Sequence, residues 1–128
     1  MNDQPALERQ LDIMVTHLRR ATEAPCLLVA AADDAAVEAE VAGTLRRRLG
    51  RQFAHLDFRF SLENLDLPGY LAVLQLPERP GVICAHGLDD LPVRERAQAI
   101  GALNLGRETL ARVPYSLVLW MRPATLGK

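Results

Sequence analysis

Three mainly apolar runs alternate with helix-like segments along this chain, and this alternation constrains the fold more than any other feature. The runs are CLLVAA at 26–31, PGVICAHGL at 80–88 and YSLVLWM at 115–121. A strand that is apolar on both faces belongs in the middle of a mostly parallel sheet. Because helical patterns lie between these runs, the sequence predicts right-handed crossovers and a three-layer α/β/α fold.

A fourth strand is predicted in QFAHLDFRF, residues 52–60, where apolar and polar residues alternate. Such alternation is typical of a strand with one exposed face, so we expect this strand at an edge. A short helix is expected within 61–77, broken near Pro68-Gly69 and closed by Pro77. Three longer helices are predicted. The first spans 5–23, the second is capped by Asp33 or Asp34 and ends at Gly50, and the third spans about 93–112 with Val93, Ala97, Ile100, Leu103 and Leu110 on one face. The sheet should therefore contain about four strands.

The chain is expected to form one α/β domain with a helix in front of it. Residues 1–24 are predicted as an N-terminal amphipathic helix that ends at Glu23-Ala24-Pro25, because proline disfavours helix at the preceding residue. Residues 25–128 would form the α/β domain. The sequence stops soon after a central-looking strand, so we expect one module of a longer protein.

Composition argues against several classes of function. The 15 basic and 16 acidic side chains give a net charge of −1, and only 5% of residues are aromatic. Neither figure suits a nucleic-acid binder. No apolar run approaches the roughly 20 residues that span a bilayer, and the polar N-terminus is no signal peptide. With both cysteines in predicted buried strands, we expect a cytoplasmic protein with no membrane and no nucleic-acid partner.

The turn after the first strand is where α/β proteins hold nucleotide phosphates, and here it has the wrong residues. Phosphate loops need glycines and a lysine, whereas residues 30–34 read AAADD. Asp33 and Asp34 would cap the next helix and repel a phosphate. The sequence therefore predicts no bound nucleotide and no other cofactor.

Polar side chains follow the strands at the edge of the sheet where ligands of open α/β proteins bind. The acidic pair Asp33 and Asp34 resembles that of response-regulator receivers, but Cys84-Ala85-His86 stands where a receiver needs its phosphoacceptor aspartate. His86 with Asp89 and Asp90 lacks metal-ligand spacing. We expect no catalytic or metal-binding residue, and name as interaction or pocket candidates Asp33, Asp34, Asp57, His86, Asp89, Asn104, Arg107 and Glu108.

Two stretches resemble STAND-type P-loop NTPases. RPGVICAHGLDDLP is similar to the family's second-motif strand, an apolar strand that leads to an acidic residue linked to the metal ion. ALNLGRETLARVPYSLVLWMRP is similar to the family's next helix and strand, with the matching residues Asn104, Arg107, Glu108, Leu110 and Trp120. The resemblance covers roughly 25–123 and departs from the family at the phosphate loop and at Cys84-Ala85-His86.

The chain thus resembles the inactive STAND domains of bacterial conflict and signalling systems. The resemblance implies a non-catalytic adaptor or sensor that binds a protein partner or an adjacent effector domain. The first helix could also mediate self-association.

Two alternatives stay open. One is a small-molecule or nucleotide binder with an atypical pocket around Asp33, Asp57 and His86. The other is a degenerate receiver-like dimerisation module. Strand order separates two of the three hypotheses, because a STAND-like core places the fourth strand between the first and third. A receiver-like core places the first strand between the second and third.

Overall fold

A computed structural model describes residues 4–21, 26–75 and 80–123 of the chain. The predicted helix end at Glu23-Ala24-Pro25 and the closing Pro77 lie outside these residues. A short 3₁₀ turn at Leu88–Asp90 follows the third strand. The helices and strands are α1 Gln4–Arg20, β1 Leu27–Ala31, α2 Ala35–Leu49, β2 Ala54–Arg59, α3 Leu67–Ala72, β3 Gly81–His86, α4 Val93–Leu105, α5 Arg107–Arg112 and β4 Tyr115–Met121.

The four described strands form one parallel sheet in the order β1-β4-β3-β2. Helices cover both faces, which confirms the predicted three-layer α/β class. The fourth strand lies between the first and the third, as expected for a STAND-like core. In a receiver-like core, β1 would lie between β2 and β3, and it does not. β2 is an edge strand, as its alternation predicted.

The prediction of a central position for the first strand is wrong, because β1 is the other edge strand. Cys26, Leu28 and Ala30 pack under α1 and α2. On the opposite face Leu27 and Val29 are 60% and 49% exposed. The apolar run therefore correctly indicates that β1 has two apolar faces, but the described helices cover only one of them.

Two apolar cores lie on the two faces of the sheet. Helices α1 and α2 cover one face, where Leu18, Leu45 and Trp120 are almost fully buried. Helices α3, α4 and α5 cover the other, around residues such as Leu67 and Ala99. β4 contributes alternate residues to both cores and is buried along its whole length. No helix among the described residues is long and apolar enough to span a bilayer.

The predicted helix at 93–112 is divided into α4 and α5 at Gly106. A Cβ at this position would clash with the Pro68 ring, so the two helices turn where α3 packs against them. Pro68 itself lies in the first turn of α3, where a missing N–H costs nothing. The predicted helix break at Pro68-Gly69 is therefore wrong, because the helix begins there.

The apolar face predicted for α4 is only partly correct. Val93 and Ile100 are 76% and 38% exposed, whereas Ala99 is completely buried. Leu103 packs against the core as expected. The guanidinium of Arg96 donates to the carbonyls of Asp89 and Leu91 at 3.2 Å each. These bonds tie the first turn of α4 to the segment that follows β3.

Candidate functional site

A cleft of about 470 Å³ separates α2 from β2 and the carboxyl end of β3. The α2 side of the cleft carries four small residues, Ala35, Ala39, Ala42 and Gly43, beside the larger Glu38, Leu45, Arg46 and Leu49. The small residues leave space between the helix and the sheet edge. Val82, Cys84 and His86, alternate residues of β3, face the cleft from the sheet. The cleft thus lies where open parallel sheets bind ligands.

Glu38 is the buried acid of this cleft. It lies one turn into α2, and its side chain is only 8% exposed. Its Oε2 accepts a hydrogen bond from His86 Nδ1 at 2.7 Å, and its Oε1 accepts one from Arg122 Nη1 at 2.9 Å. Both carboxylate oxygens therefore have partners, as burial of a charged group requires.

Arg122 is fixed in place by a second acid. Its backbone N–H donates to Asp89 Oδ2 at 2.8 Å, just after the end of β4. Asp89 follows β3, so this bond ties the loops after two neighbouring strands together. The other oxygen of Asp89 is buried and has no hydrogen-bond partner among the described residues. The guanidinium of Arg122 is thereby held beside Glu38.

The second ring nitrogen of His86 faces the exposed edge of the cleft. Nε2 lies 3.7 Å from Asp57 Oδ1, and Asp57 Oδ2 lies 3.8 Å from Arg46 Nη1. The imidazole is nearly parallel to the Trp120 indole, with ring centroids 6.2 Å apart and an interplanar angle of 6°. With Glu38 on one nitrogen and Trp120 on one face, the ring has a fixed orientation.

Cys84 is the sulfur donor of the cleft. Burial raises its pKa from 9.0 to about 11, the indole N–H of Trp120 lowers it in part, and the Asp57 carboxylate raises it further. The Trp120 contact falls short of hydrogen-bond geometry, because Nε1 is buried with no partner among the described residues. Cys84 is therefore a protonated thiol near neutral pH and a poor nucleophile.

Three of the predicted site residues lie at or beside the cleft. Asp57 and His86 line it, and Asp89 holds Arg122. Asp34 caps α2 as predicted, accepting from Val37 N at 2.9 Å. Asp33 is exposed and does not line the cleft, so the predicted pocket around Asp33, Asp57 and His86 is wrong in its first member.

The other three predicted residues lie on the opposite side of the sheet. Asn104, Arg107 and Glu108 are exposed around the junction of α4 and α5, where Arg107 Nε donates to the Asn104 carbonyl at 3.2 Å. They are therefore not part of the cleft.

Sequence reasoning missed Glu38 and gave Cys84 no role beyond packing. The signal for Glu38 was present, because it lies on the same helical face as Leu45 and Leu49. A single acid on an otherwise apolar helix face needs a partner, and the residues after the strands could have supplied one. Cys84 and Asp57 could not be paired before the register of β2 and β3 was known.

Comparison of the chain with protein-family models finds no match, and comparisons with curated proteins and with solved structures find none either. The resemblance to STAND domains therefore stays a prediction.

Proposed function

We propose that this chain is a degenerate P-loop NTPase-like domain of the inactive STAND type, which recognises a protein partner and catalyses no reaction. The capped N-terminus of α2 carries the proposal. In a phosphate-binding loop the free N–H groups of this helix end hold the nucleotide. Here the Asp34 side chain accepts from Val37 N at 2.9 Å, and its negative charge opposes a phosphate. The strand order β1-β4-β3-β2 also supports a STAND-like core.

The uncovered face of β1 is the surface that we propose for the partner. Leu27 and Val29 are exposed there, beside an apolar groove of about 230 Å³. Leu110 and Leu117 line the groove together with the exposed Arg107. This surface suits an apolar segment of a partner that carries an acidic side chain to meet Arg107.

The STAND resemblance suggests the kind of partner. It would be an effector of a bacterial defence or signalling system, or an effector domain in the same polypeptide. The free Cys26 and Cys84 support a reducing, cytoplasmic environment.

Calorimetric titration of Mg-ATP and Mg-ADP into the domain tests the loss of nucleotide binding. We expect no heat of binding up to millimolar nucleotide. Saturable binding in the micromolar range would overturn the proposal, because Asp34 would then not close the helix end.

Two matched variants test the docking face. Val29→Lys places a charge on the uncovered face of β1, and Val73→Lys places one on a more exposed site, 85% exposed, just after α3. A partner cross-linked to the wild-type domain should be retained by Val73→Lys and lost from Val29→Lys. Equal retention by both variants would exclude the β1 face.

The cleft supports a second candidate function, the binding of a small ligand. The specific observation is that Glu38, Asp57, His86 and Arg122 converge on one open cavity. Such convergence of polar groups in a concave site is typical of ligand pockets. Ligand screening on metal-free protein, followed through the fluorescence of Trp120, should find compounds whose effect is lost in Arg122→Gln. A screen without any cleft ligand would leave this function without support.

A further inference from the structure

We infer that the cleft holds a divalent transition-metal ion, of the zinc type, through Asp57, Cys84 and His86. The inference rests on the second candidate function, since it names the ligand of the cleft, and it is independent of the β1 docking face. One carboxylate oxygen, the Cys84 sulfur and one His86 nitrogen all lie within 4.8 Å of one another.

Strand geometry brings these three side chains together. Asp57 on β2 is directly opposite Cys84 on β3 in the parallel register. His86 is two residues beyond Cys84, so its side chain leaves the sheet on the same face. All three donors are thus carried by adjacent strands, which hold ligands more rigidly than loops do.

The tautomer of His86 determines which ring nitrogen can bind a metal. A carboxylate only accepts hydrogen bonds, so Nδ1 carries the proton that it shares with Glu38 at 2.7 Å. Where the ring is neutral, Nε2 is then the nitrogen without a proton, and it lies 3.7 Å from Asp57 Oδ1. An unprotonated imidazole nitrogen and a carboxylate oxygen are both metal-ligand atoms, so a cation between them would bind to both.

Glu38 has the position of a group that holds a metal-binding histidine. Histidines that bind metals commonly donate their other N–H to a carboxylate, which fixes the ring and makes it a better ligand. Arg122 holds Glu38 in turn, through the 2.9 Å bond from Nη1 to Oε1. This acid does not itself need to contact the metal.

A buried donor without a partner points to the same site. Trp120 Nε1 is buried and has no hydrogen-bond partner among the described residues, although it interacts with the Cys84 sulfur. A buried N–H without an acceptor costs free energy. A metal-bound thiolate carries more negative charge than a thiol and is a better acceptor for this indole N–H. Metal binding would release the thiol proton to solvent.

The donor set selects the class of metal. Magnesium and calcium prefer oxygen ligands alone, whereas zinc accepts sulfur, nitrogen and oxygen together. Zinc bonds of about 2.0–2.3 Å at tetrahedral angles place ligand atoms roughly 3.5 Å apart. The separation of 3.7 Å between Asp57 Oδ1 and His86 Nε2 is close to this value. Three protein ligands leave a fourth position open to the cleft for an external ligand.

Cobalt titration tests the site, because Co²⁺ replaces zinc and absorbs light. Metal-free protein should bind one equivalent of Co²⁺ with a thiolate-to-cobalt charge-transfer band and strong d–d bands of a tetrahedral ion. Added Zn²⁺ should abolish both. Cys84→Ser should lose the charge-transfer band, and Cys26→Ser, the matched thiol control, should retain it.

Two further variants extend the test, and the first of them keeps it independent of folding. Asp57 is 66% exposed, so Asp57→Asn should fold normally and weaken cobalt binding at least tenfold. Glu38→Gln should weaken it by about 10- to 100-fold without removing the charge-transfer band. Absence of cobalt binding to the folded wild type, or a charge-transfer band that persists in Cys84→Ser, would overturn the inference. If cobalt fails to bind while the ligand screen finds a cleft compound, the metal inference fails and the second candidate function stands.

Discussion

At the scale of single residues, Glu38 links the most groups in the cleft. Each of its oxygens accepts one strong hydrogen bond, from His86 and from Arg122. Glu38→Gln keeps the shape but replaces one oxygen by an NH₂ group, which leaves one of the two donors without an acceptor. We expect a loss of about 1–3 kcal/mol in the free energy of unfolding by urea. Glu40→Gln, at an exposed position of the same helix, should change it little. Equal stability of both variants would contradict the role of Glu38.

Without a bound metal, Cys84 makes the stability of the folded protein depend on pH in the alkaline range. Burial raises its pKa from 9.0 to about 11. The folded state therefore favours the thiol over the thiolate. The resulting contribution to the free energy of unfolding is complete below pH 9 and is lost as the pH rises toward 11. The loss should reach about 2–3 kcal/mol. Urea unfolding across this range should show it for wild type and for Cys26→Ala but not for Cys84→Ala. The same pH dependence in Cys84→Ala would assign the loss to other groups.

The sequence predicted the cleft residues that follow strands and missed those that depend on register. Asp57 and His86 were expected because polar residues at the carboxyl ends of parallel strands meet at one edge of the sheet. Cys84 faces Asp57 only because β2 and β3 pair as they do. Asp33 was expected in the pocket because it follows β1, but β1 and β2 lie at opposite edges. Asp33 is exposed and does not line the cleft, although Ala35, two residues later, does.

At the scale of elements, glycine at the α4–α5 junction has a different role from glycine within α4. A Cβ on residue 106 would clash with the Pro68 ring, whereas one on residue 101 would meet open space. Gly106→Ala should therefore lower the free energy of unfolding by about 1–3 kcal/mol through overpacking. Gly101→Ala should raise it by up to about 1 kcal/mol, because alanine favours helix. Opposite signs in chemical denaturation are the expected result, and a stabilised Gly106→Ala would exclude tight packing against α3.

The order of helices and strands was predictable from periodicity. The residues at which the helices end and the strands that form the edges of the sheet were not. Apolar runs identified β1, β3 and β4 because strands covered by helices lack polar residues. The same runs placed β1 in the centre, since an apolar side chain does not reveal whether a helix covers it. Leu27 and Val29 are exposed for this reason. The predicted helix is divided at Gly106, which packs against Pro68, a residue distant in sequence.

At the scale of the whole molecule, one sheet connects two cores. β4 contributes Val118 and Trp120 to the core under α1 and α2, and Leu117 and Leu119 to the core under α3 to α5. Its neighbour β1 lies about 90 residues earlier, with Leu27 opposite Leu117. Both cores share the side chains of β4, so we expect them to unfold together.

We expect α1 to unfold together with the rest of the domain. The division into 1–24 and 25–128 stays a prediction, and the contacts of α1 offer a test of it. Leu18 of α1 is only 1% exposed and lies in the same core as Trp120. Leu18→Ala should cost about 2–5 kcal/mol. The loss should lower the urea midpoint equally for Trp120 fluorescence and for far-ultraviolet circular dichroism. Ile13→Ala, at a position of α1 that is 59% exposed, should shift neither. If Leu18→Ala loosens the helix but leaves the Trp120 transition in place, α1 is an appendage and 25–128 folds without it.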